Sequence, residues 1–146
     1  MLRFKWISLV AALLLSLTAV AQQPQLQELA AHLQTDRISL RYACTLTQDT
    51  PVKLSGALLV QGECYRAIGN GLEIYCDGQT RWTVDPASKE VYIETAEGLE
   101  EILAWRDSIT ELSITDVAYK PLSDDLSAFR FDTEALDDAW VVTDLR

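Results

Sequence analysis

Apolar and polar residues alternate along most of this chain, which is the pattern of strands that bury one face of a sheet. The alternation is clearest over residues 38–46 and 52–61, which a turn around Asp49-Thr50-Pro51 separates. Four shorter strands with short connections are predicted next, over residues 64–68, 72–76, 80–85 and 90–95. A weaker alternation predicts three closing strands, over residues 110–119, 127–132 and 139–144.

Two segments have the helical period instead. The first is residues 24–34, with Pro24 at its entry and an apolar stripe at the spacing of one helix face: Leu26, Leu29, Ala30 and Leu33. A second short helix is predicted over residues 97–106. The whole pattern therefore predicts one α+β domain, a long curved antiparallel sheet with two helices that cover part of one face.

The first residues predict an export signal. Arg3 and Lys5 precede an apolar run over residues 7–20, and Ala19-Val20-Ala21 has small residues at the two positions that a signal peptidase recognises. The run is short for a membrane-spanning helix. We therefore expect a signal peptide over residues 1–21, cleavage after Ala21, and a single exported domain over residues 22–146, with no cysteine at the cleavage point to take a lipid anchor.

The charge of the chain argues against two classes of partner. The chain has 12 basic and 22 acidic residues, and loss of Arg3 and Lys5 with the signal peptide lowers the net charge from −10 to −12. Nucleic acids need a basic patch opposite their phosphates, and anionic lipid headgroups attract basic segments. We therefore expect neither nucleic acid binding nor electrostatic docking on an anionic membrane.

Three cysteines remain in the exported domain. If Gly69-Asn70-Gly71 is a three-residue hairpin loop, Cys64 lies opposite Cys76 at a distance that permits a disulfide. In an oxidising compartment such a bridge would stabilise the hairpin by about 3 kcal/mol. A two-residue turn would shift the register by one, and both side chains would then be small buried hydrophobic groups. Cys44 is left over and is expected to be buried and unreactive.

The sequence offers little for catalysis or metal binding. His32 is the only histidine and lies off the apolar stripe of the first predicted helix, where a solvated side chain is expected. Nucleophilic triads and multi-histidine metal sites thus lack their usual members, and the cysteines lack zinc spacing. Three acidic pairs are interpreted as solvated charge: Glu100-Glu101, Asp124-Asp125 and Asp137-Asp138. We expect a protein that is not an enzyme and that has no metal and no cofactor.

Large rings recur through the exported domain, at Tyr42, Tyr65, Tyr75, Trp82, Tyr92, Trp105 and Trp140. A strongly curved sheet has a concave face that two short helices cover incompletely, which leaves a cavity suited to an acyl chain or another apolar ligand. The alternative is that helices and side chains fill the concavity. The pattern by itself leaves both interpretations open.

Several motifs occur in a recognisable order. An alternating first strand is followed by Leu54-Ser55-Gly56-Ala57-Leu58, then Tyr65-Arg66, then Asp77-Gly78 with Trp82, then Asp85-Pro86 and Glu90-Val91. In this order the segment 38–95 resembles the LolA family of periplasmic outer-membrane lipoprotein carriers, and in particular its shorter LolA-like members. The family has a glycine-containing second strand, an aromatic position ahead of the first hairpin and an Asp-Gly-x-x-x-Trp turn. The helix at 24–34 resembles its first lid helix.

This resemblance implies an incomplete β-barrel covered by short lid helices, whose hydrophobic interior shields lipoprotein acyl chains, or another lipid, during transfer to the outer membrane. It implies lipoproteins or lipid acyl chains as partners in the periplasm, together with an inner-membrane release complex and an outer-membrane acceptor. The residues expected to line the cavity are Leu29, Leu40, Tyr42, Leu54, Leu58, Val60, Tyr65 and Trp82.

Two departures from the family pattern leave alternatives open. The better-known carriers have an Arg-Pro pair ahead of the aromatic position, where this chain has Gln61-Gly62, and the C-terminal part is shorter. A protein that binds another lipid or senses unfolded lipoproteins is one alternative. The other is a ligand-free periplasmic interaction module with a filled core.

Overall fold

The computed structural model describes residues 24–47, 49–96 and 108–146. The elements in these ranges are α1 (Pro24–His32), β1 (Asp36–Leu46), β2 (Val52–Gln61), β3 (Cys64–Gly69), β4 (Leu72–Cys76), β5 (Thr80–Asp85), β6 (Glu90–Thr95), β7 (Ile109–Pro121) and β8 (Val141–Asp144), with 3-10 turns at Ser127–Phe129 and Thr133–Ala135. The predicted signal peptide and the helix predicted over 97–106 lie outside the described residues.

The eight strands form one sheet in the order β7-β1-β2-β3-β4-β5-β6-β8. Strands β1 to β6 are successive antiparallel neighbours, and β7 returns to pair antiparallel with β1. β8 pairs with β6 in the parallel direction, so the predicted wholly antiparallel sheet is wrong at this edge. The sheet is curved and unclosed, with β7 and β8 at its edges, which agrees with the α+β class and the open sheet expected from the sequence.

Side chains on the sheet divide between two faces. In β1 the even-numbered residues from Ile38 to Leu46 are buried on the side where α1 packs, which we call the helix face. The odd-numbered residues of β1 and their ladder neighbours lie on the other side, which we call the C-terminal face. Residues that follow β7, among them Phe129 and Trp140, pack on that side. The sheet therefore buries apolar residues on both faces, but over different strands.

The turn between β3 and β4 determines the register of the hairpin. Gly69 pairs with Leu72, so the connection is the two-residue turn Asn70-Gly71, in which both residues have positive φ (53° and 77°). These are the angles of a type I′ turn, whose twist matches that of the flanking strands. Cys76 consequently pairs with Tyr65 and not with Cys64, and all three cysteines are free. The prediction of a three-residue loop is therefore wrong, and so is the Cys64–Cys76 bridge that depended on it.

Two β-bulges bend the edge strand β7. Glu111 and Asp116 have positive φ (53° and 54°), and the β1–β7 register slips beside each of them. Each bulge adds one residue to β7. The apolar side chains that pack on the helix face are consequently spaced by three or two residues: Ile109, Leu112, Ile114, Val117 and Tyr119. This spacing explains why the alternation over residues 110–119 is weak.

The strand predicted over residues 127–132 is wrong. Ser127–Phe129 is a 3-10 turn, which begins where the Asp125 carboxylate accepts a hydrogen bond from the Ser127 amide at 3.0 Å. Phe129 is fully buried, and the guanidinium carbon of Arg37 lies 4.9 Å from the centre of its ring. The apolar residues of this segment therefore cover the C-terminal face of the sheet and do not extend it.

Candidate functional site

The helix face carries one apolar cluster across strands β1 to β4. Fourteen buried residues contribute to it, from α1, from these four strands and from β7. Its centre is a row of ladder neighbours, one from each strand: Leu40, Leu58, Ala67 and Ile74. No side chain in this row can donate or accept a hydrogen bond, so the centre of the face offers only apolar contact.

Seven of the eight residues expected to line a cavity lie in this cluster, and none is more than 8% exposed: Leu29, Leu40, Tyr42, Leu54, Leu58, Val60 and Tyr65. Trp82 is the exception. It pairs with Tyr75 and lies on the C-terminal face, against a second cluster around Val84, Val91 and Ile93. Its assignment to the helix face is therefore corrected. Adjacent residues of a strand point to opposite faces, and Arg81 and Thr83 occupy the helix-face positions of β5.

A glycine pair lies beneath the ring of Tyr42. Gly56 is the ladder neighbour of Tyr42 in β1 and of Gly69 in β3. A Cβ atom on Gly56 would lie 3.0 Å from the Tyr42 hydroxyl and 2.4 Å from the carbonyl oxygen of Ile68. Glycine at both positions therefore lets β2 and β3 approach closely and leaves room for the phenol ring.

The helix face is an environment of low polarity. Burial, and then the nearby Cys44, raises the pKa of Tyr42 to about 12, and burial raises the pKa of the Cys44 thiol to about 11. Both groups are neutral at neutral pH. Because only a thiolate is a strong nucleophile, Cys44 is unreactive here.

Among the side chains of α1 that the structure describes, buried Leu29 and contacts at the C-terminal end hold the helix against this face. Leu29 is fully buried in the cluster, and Leu33 packs against it. The His32 ring stacks on Tyr119 of β7 with centroids 4.0 Å apart, and its Nδ1 lies 3.2 Å from the Asp36 carboxylate. The prediction of a solvated histidine is therefore wrong, because the His32 ring is half-buried and joins α1 to both β1 and β7.

Strands β5 and β6 end the apolar face with polar groups. Arg81 donates a hydrogen bond from Nη2 to the Glu94 carboxylate at 2.6 Å, and its side chain is only 4% exposed. Thr83 lies next to Ile74 and is buried, and its hydroxyl has no hydrogen-bond partner among the described residues. Sequence reasoning missed this boundary. The alternation of Arg81 and Thr83 with Trp82 shows that one side of β5 is polar. Which face of the sheet that side belongs to depends on the register between β4 and β5.

No protein-family model matches the chain, and no curated protein matches it. In the part of the chain that the structure describes, no helix is both long and apolar enough to cross a membrane. The same residues contain no group of three or more His, Cys, Asp or Glu side chains that could hold a metal ion. The function is therefore inferred from the helix face itself.

Proposed function

We propose that this protein is a carrier or chaperone that holds a lipid acyl chain, including that of a lipoprotein, against the helix face. The observation that carries the proposal is the continuous apolar cluster over β1–β4, with α1 packed against it. The open sheet fits the half-barrel of the LolA-like proteins that the sequence resembles. In this proposal the protein is not an enzyme. It acts in the periplasm between an inner-membrane release complex and an outer-membrane acceptor.

Apolar contact supplies the affinity. Each methylene group removed from water contributes about 0.8 kcal/mol, so ten methylenes contribute about 8 kcal/mol before the cost of association is subtracted. An acyl chain that lies along Leu40, Leu58 and Ile74 displaces no hydrogen bond, because none of these side chains makes one. The binding is then strong enough to shield the chain and weak enough to release it.

Helix α1 is the element that moves when the chain binds. It has nine residues, and isolated helices of this length are marginal in water, so its stability depends on the sheet beneath it. Displacing Leu29 from the cluster costs about 1.5–3 kcal/mol. The methylene groups that the ligand buries offset that cost. The acyl chain can therefore displace Leu29 from the cluster, and Leu29 can return when the acyl chain leaves.

Uptake of a dansyl-labelled fatty acid tests the proposal. Leu58→Asp puts a carboxylate in the centre of the apolar row and should abolish the fluorescence increase while circular dichroism still reports a folded protein. Val141→Asp is the matched control, since it makes the same substitution at a 60% exposed position of β8, and it should bind like the parent protein. No uptake by the parent protein, together with a ligand-free mass in native mass spectrometry of protein purified without detergent, would refute the carrier.

The second candidate is a ligand-free interaction or sensing module on the same fold. The burial of the face favours it, because the chain's own atoms leave Leu40, Leu54 and Leu58 no more than 3% exposed, as in a filled core. Leu29→Ala separates the two candidates. In a filled core it lowers stability by about 2–5 kcal/mol and fatty acid restores none of it. In a carrier, added fatty acid raises the unfolding temperature of the variant, because it binds only the folded state.

A further inference from the structure

A depression lies on the C-terminal face over β1, β2 and β3, on the side of the sheet away from α1. Its volume is about 230 Å³. Its floor is formed by Ala57 and Leu59 of β2 and by Ile68 of β3, whose side chain is 40% exposed. Arg41 of β1 and Arg66 of β3 stand on either side of this floor. An apolar floor between two cations is a different chemistry from that of the helix face.

The two arginines differ from the other arginines that the structure describes. Four of these are bound to oxygen atoms: Arg37 to Gln61 and the Asp125 carbonyl, Arg81 to Glu94, Arg130 to Asp77, and Arg146 to Asp144. Arg41 and Arg66 make no hydrogen bond or ion pair with any described residue. In a chain with 22 acidic and 12 basic residues, two guanidinium groups that lie beside one depression and make no such bond with a described residue are a specific feature.

The strand register brings the two guanidinium groups within reach of one ligand. Arg41 is the ladder neighbour of Ala57, and Arg66 is the ladder neighbour of Leu59. Two strand spacings and two residues of strand rise place their Cα atoms about 12 Å apart, diagonally across β2. Extended arginine side chains can span that distance from both sides, and a guanidinium binds carboxylate and phosphate oxygens with two parallel hydrogen bonds.

We propose that this depression binds a small anionic amphiphile, whose carboxylate or phosphate group lies between Arg41 and Arg66 and whose apolar part rests on Leu59 and Ile68. Asp116, at the second bulge of β7, also lines the depression. Its carboxylate opposes a ligand with high negative charge, and the charged residues that line the depression, two arginines and one aspartate, sum to one positive unit. A ligand with one or two negative charges and a short apolar chain therefore fits best.

Titration of the purified protein with four probes, followed by methyl NMR, tests the site. The probes are decyl phosphate, decanoate, inorganic phosphate and the uncharged decyl maltoside, each below its micelle concentration. Leu59 and Ile68 methyl groups report on the depression, whereas those of Leu58 and Ile74 report on the helix face, because adjacent strand residues point to opposite sides. We expect saturable shifts at Leu59 and Ile68 with an anionic decyl probe, and binding at least about tenfold weaker with inorganic phosphate or decyl maltoside.

The tighter of the two anionic decyl probes identifies the source of the ligand, a fatty acid for decanoate or a phosphate ester for decyl phosphate. Arg41→Gln combined with Arg66→Gln should weaken binding by at least about tenfold, since charge-assisted hydrogen bonds are the strong ones. Lys53→Gln with Lys89→Gln removes the same charge from outside the depression and should leave the affinity within about twofold. Asp116→Asn should strengthen binding.

Two results would overturn the site. One is shifts that appear only at Leu58 and Ile74, which would mean that the probes bind the helix face. The other is an equal loss of affinity in the arginine and lysine double variants, which would mean that only the overall charge matters. Because the reporter methyl groups of the two faces are separate, this outcome is independent of the acyl carrier proposal.

Discussion

A methyl group added at Gly56 should force β2 and β3 apart. The Cβ atom of an alanine there would lie 2.4 Å from the Ile68 carbonyl oxygen, 3.0 Å from the Tyr42 hydroxyl and 3.1 Å from the Gly69 Cα, whereas ordinary contact begins at 3.4 Å. Two of these three atoms belong to the backbone of β3 and cannot turn aside. Relief of the contact with Ile68 therefore requires the two strands to separate by about 1 Å.

The size of the effect follows from this geometry. Separation of the strands weakens about two ladder hydrogen bonds, each with a net contribution of about 1 kcal/mol, and overpacking of a buried site costs about 1–3 kcal/mol. Alanine also restricts the unfolded chain, which favours folding by about 0.4–1 kcal/mol. We expect Gly56→Ala to lower the free energy of unfolding by about 2–4 kcal/mol.

Urea unfolding followed by circular dichroism measures this change. For a slope of about 2 kcal/mol per molar urea, the midpoint should fall by about 1–2 M. Gly62→Ala is the control, because nothing lies within 4 Å of its Cβ position and it has only the strain of a positive φ (57°), about 1 kcal/mol. An effect of Gly56→Ala no larger than that of Gly62→Ala would refute the reasoning. Tyr42→Phe removes only the hydroxyl contact and should not rescue the variant.

Three further predictions concern other parts of the molecule. The mass of the protein should not change on reduction, because Cys64 and Cys76 point to opposite faces; a gain of two mass units would show a bridge. Burial alone would raise the pKa of Asp77, but hydrogen bonds from backbone amides and from Arg130 lower it overall. The ionised Asp77 therefore contributes fully to the stability of the fold above its unfolded pKa, and this contribution is lost as the pH falls through the lower folded pKa. The stability difference between the parent protein and Asp77→Asn should therefore shrink as the pH falls below about 4 in acid titrations; a difference that stays constant would contradict it. Glu111→Gly should raise the urea midpoint by relieving about 0.5–1 kcal/mol of left-handed backbone strain, whereas a lower midpoint would mean that the bulge needs the glutamate side chain.

Much of the fold could be predicted from neighbouring residues alone. β1 and β2 were predicted to within two residues, because alternation of Leu40 or Leu54 with polar neighbours is decided along one strand and needs no knowledge of the partner. The stripe of α1 is equally local, and Leu29 is buried as expected. These patterns together predicted that β1, β2 and α1 pack their apolar sides against one another.

Register could not be predicted in the same way. A three-residue loop around Asn70 and a two-residue turn differ by one position, and one position moves every later side chain to the other face. The two-residue turn therefore pairs Cys76 with Tyr65, and Cys64 and Cys76 lie on opposite faces of the sheet. The same uncertainty, added over successive turns, explains why Trp82 was expected among the cavity-lining residues of the helix face, whereas the structure puts it on the C-terminal face.

By itself, the sequence determined strands β1 to β6, helix α1 and the apolar character of one side of β1 and β2, because those properties depend on residues a few positions apart. Only the tertiary structure decided the bulges at Glu111 and Asp116, the parallel pairing of β8, and the position of Arg41 and Arg66 on either side of one depression. Each of these depends on which strand lies beside which and in what register. That information comes from long-range packing and from turns whose length differs by one residue.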